Sequence, residues 1–167
     1  MVMSAIEQLL RDVDWQGLDI LIIDMPPGTG DAQLTLSQRV KLAGAIIVST
    51  PQDLSLIDAR KGLNMFKKVN VPILGIIENM SYFLCSNCDT KHPIFGNGGA
   101  KKEAAKLGVP FLDEIPLDIK LRATSDEGVP IVEKEPDHFI SKQYMSIGSR
   151  VIETVMKNTK ISPKIIQ

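Results

Sequence analysis

Short apolar runs alternate with stretches of helical periodicity along this chain. Met3, Ile6, Leu9, Leu10 and Val13 recur at helical spacing and predict an opening helix. Ile20 to Ile23 is a continuous apolar run rich in β-branched residues, which suits a central parallel strand buried on both faces. Ala32–Val40 fits a helix, and Ala43–Ser49 a second strand. Thr50-Pro51-Gln52-Asp53 reads as a helix start, with Thr50 as cap, Pro51 at the first helical position and Asp53 three residues after the cap. Leu56, Ala59, Leu63 and Phe66 continue that helix on one face. Val71–Glu78 is expected to be a third strand, and residues 81–99 a long loop. Ala100, Ala104 and Leu107 mark a short helix ending at Gly108, and Phe111–Ile115 a short fourth strand. Ile140, Tyr144, Ile147, Val151 and Val155 mark a long final helix. The alternation predicts an α/β fold, an open parallel sheet with helices on both faces. No linker, repeat or low-complexity block divides it. The expected organisation is one domain over residues 1–158 and a flexible tail over 159–167.

Composition narrows the function classes. The chain has 167 residues, 44% of them hydrophobic, which is enough for a real core. Its net charge of −1 gives no electrostatic reason to expect nucleic acid or an anionic membrane as partner. The apolar runs are far too short to span a bilayer, so no membrane insertion is expected. Residues 1–15 carry Glu7, Arg11 and Asp12 and lack the charged-then-apolar order of a signal peptide.

Candidate chemistry sits in two places. Asp24 closes the first apolar run and enters Met25-Pro26-Pro27-Gly28-Thr29-Gly30-Asp31. Open α/β sheets place ligands at the carboxyl ends of their strands. An acid there is the Walker-B position of a nucleotide site, which helps hold Mg²⁺. The matching P-loop requires a Gly-Lys pair, and the chain contains none. The expectation is that the chain is the second half of a larger nucleotide-binding domain. The second place is Cys85-Ser86-Asn87-Cys88. A C-x-x-C can present two thiolates to one metal centre from a tight turn. Three readings stand: a redox dithiol, a zinc knuckle that recruits His92 and a fourth ligand, and a half-site completed by the same pair from a second copy. His92, before Pro93 in a loop, reads as an exposed bystander.

The motifs Asp24–Asp31 (DMPPGTGD), Ser49–Asp53 (STPQD), Glu78–Ser81 (ENMS), CSNC at 85–88, IFGNGG at 94–99 and IPLD at 115–118 form an ordered set. In that order they resemble the Mrp-type P-loop ATPases, carriers and scaffolds for iron–sulfur clusters. That family includes the bacterial Mrp/ApbC proteins and the mitochondrial Ind-type assembly factor for respiratory complex I. The resemblance covers about Met1 to Met156. It implies Asp24 as the Walker-B acid and Gly28 and Gly30 in a switch-like turn facing the γ-phosphate. Asn79 would hydrogen-bond the adenine base, with Pro116 and Asp118 flanking it. Asn offers the paired donor and acceptor that an adenine edge requires. Cys85 and Cys88 would bind a [4Fe-4S] cluster shared across a homodimer through their loop. The implied function is an iron–sulfur cluster carrier that delivers clusters to apo iron–sulfur proteins. It would depend on Mg-ATP in the complete protein and work in the mitochondrial matrix of a eukaryote or in the cytoplasm of a bacterium. The family's glycine-rich loop with its lysines would lie upstream of residue 1, so this chain alone is expected to be inactive as an ATPase. The alternatives are a zinc-stabilised dimerisation module and a MinD-like ATPase switch.

Overall fold

The computed structural model describes residues 8–10, 12–25, 30–85 and 87–161. Its elements run α1 (Asp31–Arg39), β1 (Ala45–Ser49), α2 (Asp53–Lys68), β2 (Ile73–Leu84), β3 (Lys91–His92), α3 (Gly99–Leu107), β4 (Phe111–Leu117), α4 (Ile119–Asp126), α5 (Ile131–Lys134) and α6 (Phe139–Ile161). The sheet is open. β2 lies between β1 and β4 and is parallel to both, while the two-residue β3 pairs antiparallel with the far end of β2. The expected parallel sheet is therefore mixed at one corner.

Successive residues of a strand face opposite sides. Ile76 of β2 packs with Leu56, Leu63 and Phe66 of α2 and with Ala100 and Ala104 of α3. Its neighbour Ile77 packs on the other side, with Leu112, Ile115 and the α6 residues Ile147 and Val151. Helices thus cover both faces. Arg60 of α2 and the buried Glu103 of α3 form a two-pronged ion pair that joins the helices of the first face. α3 ends as expected, with Gly108 left-handed at φ 66° and donating back to Ala104 and Ala105.

Three expectations are corrected. Residues 20–23 do not form a strand. The segment is irregular, and Ile22 is 87% exposed. Among the described residues no strand pairs with the outer edge of β1. A strand beyond that edge would gain one ladder and would need apolar cover on both faces. Of this stretch only the following Met25 packs against the core. The second correction concerns the start of α2. Gln52, not Thr50, is the cap residue, and the helix begins at Asp53. Ser55 Oγ accepts from Thr50 N at 3.1 Å and so binds the preceding turn instead. Third, the expected loop of 81–99 is in large part a hairpin, because β2 continues past Glu78 to Leu84 and turns into β3. The last helix, α6, runs to Ile161. Most of the predicted opening helix lies outside the described residues, as do 162–167.

Candidate functional site: the carboxyl edge of the sheet and the thiol hairpin

Ser49 ends β1 and sits directly beside Glu78 of β2. Three segments meet at this carboxyl edge. Ser49 Oγ and Ser55 Oγ are 2.9 Å apart and tie the loop after β1 to α2. The glycine turn before α3 closes against that loop. Gly98 is left-handed at φ 65°, and a Cβ on Gly99 would stand 2.6 Å from the carbonyl oxygen of Pro51. No side chain fits there, so the glycine is what allows the two loops to touch. The third participant is Glu78, fully buried at 0% exposure. Its Oε2 accepts from Ala100 N at 2.6 Å, in the first turn of α3, where the helix dipole favours a carboxylate. Its Oε1 accepts from Ser81 Oγ, also at 2.6 Å. Sequence reasoning missed Glu78 as a structural anchor. The signal available was an acid inside the apolar run, three residues before a serine.

Asn79 follows on β2, half-buried and in register with Ile115. Its Oδ1 accepts from Met80 N at 3.0 Å. Met80 has φ 54°, and the β2–β4 register shifts between Asn79 and Phe83. A bulge of this kind re-aims side chains at a sheet edge. The register brings Pro116 and Asp118 to the same corner. Pro116 is fully buried, so its ring is packed into the protein rather than presented to a ligand. Asp118 caps α4: its Oδ1 accepts from Lys120 N at 2.8 Å and from Leu121 N at 3.0 Å. Asp24 is exposed on the irregular segment. Gly30 precedes α1 as its cap residue, its carbonyl accepting from Leu34 N. Gly28 lies outside the described residues.

The cysteines occupy the tip of the β2–β3 hairpin. Phe83 pairs with His92 and Leu84 with Lys91. The ladder is closed by Cys85 N donating to Thr90 O at 3.0 Å, and Asp89 N donates to Cys85 O at 2.9 Å. Asp89 takes φ 53°, the left-handed turn position that Asp tolerates. The turn leaves both thiols free, Cys85 half-buried and Cys88 exposed. Cys88 Sγ lies 3.2 Å from Thr90 Oγ1. Hydrogen bonds from the Thr90 hydroxyl, the Thr90 backbone and the Cys85 thiol hold the Cys88 pKa below the ordinary cysteine value. The hairpin thus carries both thiols within one tight turn. His92 is exposed on the ladder. Among the described residues no group of three or more His, Cys, Asp or Glu is arranged to hold a metal ion.

Between the sheet edge and the hairpin runs a line of polar contacts. Ser81 Oγ, bonded to Glu78, also lies 3.4 Å from Glu114 Oε2. Glu114 Oε1 is 3.5 Å from Lys91 Nζ, and the same ammonium sits 4.0 Å above the Tyr82 ring. Partial burial pushes the Lys91 pKa down, but Tyr82 and Glu114 more than offset it, and the net shift is upward.

An open sheet of this order, with helices on both faces and loops gathered at its carboxyl edge, is an α/β domain of the kind that places ligands at that edge. The chain belongs to the ParA family of NUBPL iron-transfer P-loop NTPases, whose profile matches residues 1–152. A mouse relative named iron-sulfur cluster transfer protein NUBPL is 51% identical over 98% of this chain and 50% of its own length. An Arabidopsis thaliana relative, the iron-sulfur protein required for NADH dehydrogenase, mitochondrial, is 53% identical over 92% and 49%. The Escherichia coli iron-sulfur cluster carrier protein is 47% identical over 98% and 44%. The chain thus spans about half the length of the curated relatives it matches. A nucleotide-binding protein from Archaeoglobus fulgidus, solved in complex with ADP, superposes with a TM-score of 0.72 at 44% identity over 81% of this chain and 56% of that one. The cell division ATPase MinD of Pyrococcus furiosus shares the fold, with a TM-score of 0.64 at 23% identity over 91% and 57%.

Proposed function

We propose that this chain carries an iron–sulfur cluster as cargo for delivery to apo iron–sulfur proteins, and that the cluster is of the [4Fe-4S] type, held between two copies by Cys85 and Cys88. The observation that carries this reading is the hairpin tip, where one tight turn holds two free thiols, Cys85 half-buried and Cys88 exposed. Two thiolates satisfy half of a Cys₄ set, and a two-fold axis supplies the other half. The names of the relatives agree in kind: transfer protein in mouse, carrier protein in Escherichia coli. Nucleotide would act at the carboxyl edge, with Asn79 toward the base and Asp24 toward Mg²⁺. The Gly28–Gly30 turn would lie toward the phosphates, and Asp118 would stand beside the base through its free edge. Pro116 would contribute through its backbone, since its ring is buried. In the complete protein Mg-ATP would then set when cargo is released. The compartment would be the mitochondrial matrix in a eukaryote or the cytoplasm in a bacterium, and the Arabidopsis thaliana relative, whose name includes mitochondrial, supports the first. Visible absorption after anaerobic reconstitution is the test. A broad band that disappears in both Cys85→Ala and Cys88→Ala supports the reading. Stoichiometric zinc with no visible band contradicts it.

A further inference from the structure

We propose that Lys91 is a positioning residue for the thiol pair, acting through Glu114 to hold the hairpin at a fixed angle to the sheet. The inference rests on the cargo reading above for its consequence, though not for its geometry. β3 is two residues long, so a short ladder holds the hairpin to β2. Lys91 sits on the rung nearest the cysteines, opposite Leu84, whose next neighbour is Cys85. Its ammonium leaves that rung to reach two other places. It lies above the ring of the buried Tyr82 on β2 and within 3.5 Å of Glu114 on β4. One side chain therefore fastens the hairpin to the body of the sheet.

Glu114 is a firm anchor. Its second oxygen faces Ser81 Oγ, and its backbone carbonyl accepts from Gln143 Nε2 of α6 at 3.3 Å. Ser81 is fixed by Glu78, and Glu78 by the first turn of α3. The chain of contacts ends at the same sheet edge that carries Asn79. An exposed ion pair contributes little to global stability. Here the pair is reinforced by a cation–π contact, and it acts on a hairpin held to the sheet through a two-residue strand. Its effect is expected in local opening rather than in melting. A cluster bridging two copies needs four thiols to converge, and a hairpin free to swing would spread them. Lys91 and Glu114 thereby govern cargo retention without touching cargo.

Amide exchange on the reduced, metal-free chain tests the geometry. The Cys85 amide, bonded to Thr90 O, reports hairpin opening, and the Ile76 amide, bonded to Pro110 O, reports the central sheet. Lys91→Met is expected to speed exchange at Cys85 about tenfold and leave Ile76 unchanged. Glu114→Gln should do the same, the double variant should be no worse than either single one, and Lys91→Arg should restore slow exchange. On the reconstituted chain Lys91→Met should lose iron to a chelator faster by a similar factor. Unchanged exchange at Cys85 in Lys91→Met, a uniform rise at Cys85 and Ile76 alike, or additive single effects would each overturn the proposal. Should the unmodified chain take up no cluster, the cargo reading fails and the exchange results alone decide the positioning role.

Discussion

Cys88 is an exposed thiol, and Thr90 is its main influence. Three hydrogen bonds stabilise its thiolate, so its pKa is lowered, and the favoured charged form persists to a lower pH than in an ordinary cysteine. The gain is present above the ordinary value of 9.0 and fades as pH falls through the shifted one. Because Cys88 lies at the surface, the measurable consequence is reactivity rather than melting. Alkylation followed against pH should show Cys88 reacting with a midpoint below 9.0, and Thr90→Val should move that midpoint up. A Cys88 midpoint indifferent to Thr90→Val would contradict the assignment. The thiol pair was legible in the sequence because its spacing is local. The contacts that support it were not. Glu114 stands 33 residues from Ser81 and meets it only because β4 lies beside β2.

At the scale of elements, the loops after β1 and before α3 are held by contacts that admit no substitution of size. Gly99→Ala would set a methyl against the Pro51 carbonyl. A cost of about 1–3 kcal/mol is expected, read as a fall in denaturation midpoint with an unchanged slope. An unchanged midpoint would show that the two loops do not pack as described. Asp118 is a helix cap whatever else it does. Asp118→Ala should cost about 1 kcal/mol, and Asp118→Asn should recover most of it, since Asn also caps well. If Asp118→Ala left stability unchanged, the capping role would be wrong. Where the pattern was regular, the sequence reading succeeded: β1, the body of α2 and the Gly108 stop of α3 fall within a few residues of expectation. It ended β2 too early. Glu78 and Asn79 look like a polar strand end, yet the burial of Glu78 against α3 and the bulge at Met80 carry the strand on through Tyr82 and Leu84. The run at 20–23 failed for the opposite reason: its composition favours a strand, but its cover and ladder partners are not supplied among the described residues.

On the scale of the whole molecule, the outer edge of β1 is unpaired among the described residues, and Val48 on it is 59% exposed. Unpaired apolar edges favour association. Sedimentation of the chain should therefore show mass rising with concentration even without cluster, and a monomer at all concentrations would count against an open edge. The chain also lacks a Gly-Lys pair, so the lysine and glycine-loop amides that normally grip phosphates are not within it. Calorimetric titration of this chain with Mg-ATP should give weaker than micromolar affinity, short of about −8 kcal/mol. Micromolar binding would show that the carboxyl edge suffices by itself.

In the proposed function two copies share one cluster through Cys85 and Cys88. Iron, acid-labile sulfide and native mass, determined together on the anaerobically reconstituted chain, address it most directly. About two irons and two sulfides per chain are expected, in a species of dimeric mass, with both metal and dimer lost in Cys85→Ala and in Cys88→Ala. One zinc or one iron on a monomer, or metal retained when either cysteine is removed but lost on His92→Ala, would contradict it.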